Sequence, residues 1–183
     1  MEFNPTVEEK MIKESARKFF EKELTKAKIQ ELQEKHIEVE EDFWQKIAKL
    51  GWLGLAFPEE YEGGELGLMG LAALYEECGR ALMPTVFYST MAAAFCVQNG
   101  GNSDQKKNLL TAISQGKTKI TMAITEPQAL NDLNYLKTSA RLINGKYYLS
   151  GKKLFVQNTD SADYLIVAAY AEVDQSDTAL TLF

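Results

Sequence analysis

Eight consecutive residues, Thr125-Glu126-Pro127-Gln128-Ala129-Leu130-Asn131-Asp132, gather hydroxyl, carboxylate and amide groups where an apolar run, residues 120–124, stops. Pro127 ends that run because its φ is fixed and it has no N–H for a ladder. Asn131 and Asp132 can turn the chain by bonding their own backbone. A stiff corner that exposes hydroxyl and amide groups suits hydrogen bonding to a ligand edge, and it also suits an ordinary strand-to-loop turn. Other chemical devices are missing from the sequence. His36 stands alone, and Cys78 and Cys96 lie far from it, so no zinc spacing can be built and no metal site is expected. Gly64-x-x-Gly67-x-x-Gly70 lacks the preceding strand and the spacing of a nucleotide loop. Glu59 and Glu60 pair two carboxylates beside Pro58, on a loop where water reaches them. Neither a nucleophile elbow nor a phosphate loop occurs, so no self-contained catalytic residue is assigned.

The elements that must position the corner change character along the chain. Thr6-x-x-Glu9 is a capping box opening a helix with a broad apolar face. A polar helical stretch covers 25–35, with His36 at its end. A third helix covers 41–50, with Gly51 as its stop. A packed loop over 50–64 follows. Two more helices lie on either side of Pro84, and the second of these, running to about Asn99, is apolar nearly all round and must be central. Ser103 is expected to cap a last helix that Gly116 ends. From Lys117 the apolar period drops from 3.6 to 2. Strands are expected at 120–124, 136–143, 146–149, 152–156, 164–171 and 178–183, with a hairpin turn at Asn144-Gly145. The fold class is therefore α+β, an all-α bundle over 1–116 and a β domain over 117–183. The expected β domain is an incomplete antiparallel barrel, cut within its last strand. An open edge near 164–171 or 178–183 is expected to recruit other strands, or else disorder is expected near Gln175.

Composition narrows the class. The 183 residues are 45% apolar and 25% charged, with a net charge of −6. That is ordinary for a globular protein and lacks the basic surface that nucleic acid needs. The longest apolar runs are too short to span a bilayer, so a cytoplasmic protein is expected. Cys78 and Cys96 sit in apolar helical patterns and read as reduced core residues.

Several stretches, in order and across nearly the whole chain, resemble the acyl-CoA dehydrogenase flavoprotein family. They are 11–19 (MIKESARKF), 50–54 with 58–64 (LGWLG and PEEYEGG), 75–81 (YEECGRA), 122–127 with Asp132 (MAITEP), 136–138 (LKT) and 151–158 (GKKLFVQN). The resemblance implies a helical N-terminal domain, a middle β-barrel and a C-terminal four-helix bundle, with FAD between barrel and bundle. In such enzymes of fatty acid metabolism a glutamate takes the α-proton of an acyl-CoA while the β-hydride moves to flavin N5. Most members carry that glutamate in the bundle, so this chain resembles the first half of the enzyme and is expected to be inactive alone. Carried over by position, the flavin contacts fall on Met122, Ile124, Thr125, Leu130, Asn131, Phe155, Val156 and Gln157. The acyl-facing positions fall on Tyr88, Ser89 and Ala92, which share one helix face, as core residues also would. The sequence departs from the family at two flavin positions. The family's Gly-Ala-Gly-Ser-Asp is Gln128-Ala129-Leu130-Asn131-Asp132 here, and its Trp-Ile-Thr/Ser is Phe155-Val156-Gln157. The partners implied are an acyl-CoA, an electron-transfer acceptor, and further copies, the absent bundle or a partner subunit. A second reading is a divergent, non-catalytic relative that completes another chain's site.

Overall fold

A computed structural model describes residues 5–129, 132–172 and 178–183 of the chain. Six helices come first: α1 (Val7–Glu23), α2 (Lys26–Glu34), α3 (Glu41–Lys49), α4 (Gly67–Arg80), α5 (Val86–Gly100) and α6 (Ser103–Ser114). Five strands follow: β1 (Ile120–Ala123), β2 (Ser139–Ile143), β3 (Lys146–Ser150), β4 (Tyr164–Glu172) and β5 (Thr178–Leu182). The helical region followed by a partial sheet is the architecture that the change of period implies.

Local chemistry sets the helix ends. Thr6 accepts from the Glu9 amide, and Glu9 accepts from the Thr6 amide at 2.9 Å. Gly51, at φ +74°, stops α3 in the left-handed conformation glycine adopts without strain. The cap of α6 is Asn102, one residue before the expected Ser103. Asn102 has the extended backbone of an N-cap and exchanges bonds of 2.9 Å with Gln105, so the amide side chain takes the role and Ser103 becomes the first helical residue. Helix α5 is central as expected. It packs on α6 and on β1, and Val86, Phe87, Met91, Ala93, Ala94 and Val97 are buried in one core with Phe20, Trp44, Trp52 and Phe57.

Helices α1 and α4 are joined through a fully buried carboxylate. Glu77 accepts from Arg17 Nη2 at 2.7 Å and Nε at 3.1 Å, and from Arg80 Nε at 2.7 Å. The Arg17 bonds hold its carboxyl at about 2, against the opposing effect of burial and with help from Arg80. A depressed folded-state value means that this stability is present above the ordinary carboxylate value and is lost as pH falls toward 2. Glu77→Gln should therefore cost about 2 kcal/mol near neutral pH and blunt the acid sensitivity, because charge-assisted bonds become neutral ones. Urea midpoints at neutral and mildly acidic pH check both effects. Equal midpoints for the two proteins at neutral pH would contradict the linkage.

The sheet order is β1-β4-β2-β3, with β5 on β4. The pairing is mixed where antiparallel strands were expected: β1 and β2 both run parallel to β4, while β2–β3 and β4–β5 are antiparallel. The chain leaves β1, forms the β2–β3 hairpin, and returns alongside β1 through a long connection, which makes a parallel neighbour possible. The hairpin turns at Asn144 and Gly145, both at positive φ, as the dipeptide requires. An open edge was expected near 164–171 or near 178–183. Residues 164–171 instead form the centre of the sheet, paired with β1, β2 and β5. Strands β1, β3 and β5 each pair with a single neighbour among the described residues, and Gln175 lies outside those residues. Residues 152–156 were expected as a strand but form an extended connection without ladder pairing.

Candidate functional site

The corner after β1 is built around Glu126, which is 1% exposed. Its two oxygens accept from the Lys137 amide at 2.7 Å, the Thr138 amide at 3.1 Å, the Thr138 hydroxyl, the Gln128 side chain and Lys153 Nζ at 2.7 Å. Burial opposes the charge, yet Lys153, the Thr138 hydroxyl and the two amides together hold the carboxyl at about 2. Lys153 also donates to the Ile124 carbonyl at 3.1 Å, and the Leu154 amide donates to the Thr125 carbonyl at 2.8 Å. Three segments, 124–128, 136–138 and 151–154, are thus tied at one point. Gly151 allows the approach, since a Cβ there would lie 2.2 Å from the Thr138 hydroxyl. The half-buried Thr125 side chain takes no part in this cage.

Beyond Leu154 the backbone of Phe155 turns to φ +54° and leaves its ring 85% exposed. A non-glycine residue there is strained, and an uncovered ring gives nothing back to the fold. The positive φ and the pull of Lys153 into the cage explain why 152–156 makes no strand. Val156 is half-buried and Gln157 exposed. Asn158, also at positive φ, reaches α5: Ser89 Oγ donates to its Oδ1 at 3.0 Å, and its amide donates to Thr85 Oγ1 at 3.2 Å. These bonds tie the segment that carries Phe155–Gln157 to the first turn of α5.

On α5, Ser89 is buried, Ala92 half-buried and Tyr88 58% exposed. The Tyr88 ring lies 5.9 Å from that of Tyr75, and Tyr75 meets Phe87 edge-on at 5.6 Å. Met122 turns its sulfur to Cys96 Sγ at 3.4 Å, in the seam between β1 and α5, and Ile124 packs on Ala129, Leu136 and Ala168. Both Met122 and Ile124 are half-buried. Leu130 and Asn131 lie outside the described residues. Glu59 and Glu60 sit exposed on a short 3-10 turn packed against α6. Among the described residues no three His, Cys, Asp or Glu side chains form a metal-holding group, and no helix is long and apolar enough to cross a membrane.

Residues 6–117 match the description "Acyl-CoA dehydrogenase, N-terminal domain", and residues 121–183 match "Acyl-CoA dehydrogenase, middle domain". The chain belongs to the acyl-CoA dehydrogenase family. An acyl-CoA dehydrogenase of Mycobacterium tuberculosis is 33% identical over 134 residues, 72% of this chain and 34% of the relative. A cyclohex-1-ene-1-carbonyl-CoA dehydrogenase of Geobacter metallireducens is 32% identical over 140 residues, 75% of this chain and 37% of the relative. The structure of butyryl-CoA dehydrogenase from Megasphaera elsdenii superposes with a TM-score of 0.82 at 28% identity, covering 100% of this chain and 49% of that one. The chain spans half or less of the length of these relatives. One departure from the acyl-CoA dehydrogenase pattern now has a structural account. Gln128, at a family glycine position, supplies a donor to the Glu126 cage and a second bond to the Tyr135 carbonyl at 3.4 Å. The roles of Lys153, Leu154 and Asn158 were not assigned from sequence. The visible signal was a lysine directly before the apolar run Leu154-Phe155-Val156, and an asparagine two residues beyond it.

Proposed function

We propose that this chain forms the helical and middle-domain half of an FAD-dependent acyl-CoA dehydrogenase and is inactive on its own. The reading rests most on Phe155, an aromatic ring that is 85% exposed, on a left-handed backbone, and bound through Leu154 to the Thr125 corner. A bulky residue keeps such a conformation where something beyond the fold rewards it. The residues fit FAD at this edge. Thr125 offers a hydroxyl outside the cage, Phe155 a flat apolar wall, and Gln157 an exposed amide. Two relatives named for acyl-CoA substrates support the substrate class.

When bound, FAD would accept the hydride from the acyl β-carbon. The chain's own residues would orient the flavin through Thr125 and Phe155 and flank the acyl group with the Tyr88, Ser89 and Ala92 face of α5. Among the described residues, the carboxylate at the Thr125 corner is not suited to take the α-proton. Glu126 is held ionised near 2 and saturated with donors, far from the range of an effective base. A base, an electron acceptor and the second face of the flavin site would come from a bundle, a partner subunit or another copy.

The second reading, a non-catalytic relative that completes another chain's site, is favoured by Gln128 and Ala129. Gln128 is spent on Glu126, and Ala129 is 4% exposed against Leu136 and Ala168, so the segment packs inward instead of leaving an open glycine cradle. Flavin titration of the chain supplied with the complementary half of a relative separates the two. Phe155→Gly should weaken flavin binding there by about tenfold, the worth of one good aromatic contact. It should leave the urea midpoint of the 183-residue protein unchanged or higher. Unaltered flavin affinity in both Phe155→Gly and Thr125→Val would defeat the flavin reading.

A further inference from the structure

Resting on the acyl-CoA reading above, we propose that the pocket beside Tyr88 selects uncharged, ring-bearing acyl groups, with Tyr75 and Tyr88 as the specificity-determining side chains. The pocket, of about 430 Å³, lies between the last turns of α4, the linker to α5 and the first turn of α5. Tyr75, Cys78, Leu82, Met83, Phe87 and Tyr88 form most of its wall. Phe87 stands edge-on to Tyr75 at 80° and Tyr88 is tilted from it at 50°, so the wall offers both ring faces and ring edges at the spacing of aromatic pairs. The exposed Tyr88 ring leaves one of these surfaces open to a guest.

The polar inventory points the same way. No lysine, arginine or histidine lines the pocket, so a second carboxylate on the acyl group would be buried without a partner. Glu77, next to Cys78, is committed to Arg17 and Arg80. The Thr85 hydroxyl is taken by the Asn158 amide. A straight chain could fill the same volume, but it would lose rotamer freedom on entry and gain no ring contact, whereas a ring arrives already rigid. The sulfurs of Cys78 and Met83 add soft contacts that suit a ring edge.

Three small carboxamide probes test this on the 183-residue protein without flavin: cyclohexanecarboxamide, hexanamide and the anion adipamate. Binding is followed on carbon-13-labelled tyrosine rings by NMR. Cyclohexanecarboxamide should shift Tyr75 and Tyr88 and bind about fivefold tighter than hexanamide, the scale of the rotamer freedom that a rigid ring does not lose, while adipamate should not bind. Tyr88→Ala, at an exposed position that the fold tolerates, should remove most of that preference, and Tyr75→Leu should reduce it. Equal binding of ring and straight-chain probes would overturn the ring preference and leave the acyl-site reading standing. Binding of no probe, or binding that moves neither tyrosine ring, would overturn the proposal. Cyclohexanecarbonyl-CoA and hexanoyl-CoA form the second arm. Thioesters that bind without moving either ring would overturn the acyl-site reading and the proposal with it.

Discussion

The purified 183-residue protein is expected to be colourless and to leave acyl-CoA thioesters unoxidised. The proposed flavin edge has one finished wall. Phe155 is 85% exposed and Thr125 is half-buried. A ligand held on one side must repay its full ordering cost from half of its contacts, so affinity falls far more than by half. Turnover has a second obstacle. A placed general base contributes about 10²–10⁴ in rate, and Glu126, the carboxylate nearest the corner in sequence, is held near 2 by its cage. The measurement is the visible spectrum of the protein with and without added FAD, followed by dye reduction with a panel of acyl-CoA thioesters. Supplying the complementary half of a relative should restore bound flavin if the wall described here is competent. Stoichiometric flavin and turnover by the 183 residues alone would overturn the expectation. Glu59, Glu60 and Glu126 would then be the first side chains to substitute.

The parts of this fold legible in the sequence are those set by local periodicity and local turns. The 3.6 period and the capping box gave the helices, the nearly all-apolar α5 announced its central place, and Asn144-Gly145 fixed the hairpin. Features set by distant partners were not legible. The parallel pairing of Ile120 with Tyr164 joins residues separated by a whole hairpin, and no local pattern encodes it. The apolar run of β4 was one of two stretches expected at an open edge, although a run apolar on both faces is better suited to a strand with neighbours on both sides. Residues 152–156 were expected as a strand, but Lys153 turns to a carboxylate that is close only in space. The site follows the same division. The Thr125-Glu126-Pro127 corner was legible from proline chemistry. The bridge from Asn158 to Ser89, which ties the segment after Gln157 to α5, depends on tertiary contact and left no trace in spacing.

Glu126→Ala should destabilise the protein by about 3–5 kcal/mol, more than substitution of its partner Lys153. The asymmetry follows from what each change leaves behind. Removing Glu126 strands the Lys153 ammonium, only 10% exposed, with the Ile124 carbonyl as its remaining bond, and it orphans two backbone amides and a hydroxyl. Lys153→Met leaves a buried carboxylate that still accepts from the amides of Lys137 and Thr138, the Thr138 hydroxyl and Gln128, so its cost should be nearer 1–3 kcal/mol. Acid sharpens the distinction. Because the Glu126 carboxyl is depressed to about 2, its contribution is full above the ordinary carboxylate value and fades as pH falls toward 2. Without Lys153 the depression shrinks, so the Lys153→Met protein should begin to lose stability at a higher pH than the parent. Urea midpoints across the acid range test the pair, and amide exchange at Leu154, whose N–H is bonded to Thr125, tests the corner itself. Faster exchange at Leu154 in Glu126→Ala, beyond what global stability accounts for, would show that the cage holds the corner. A loss under about 1 kcal/mol with unchanged exchange would mean that the corner stands without it, held by Pro127 and the strand ends.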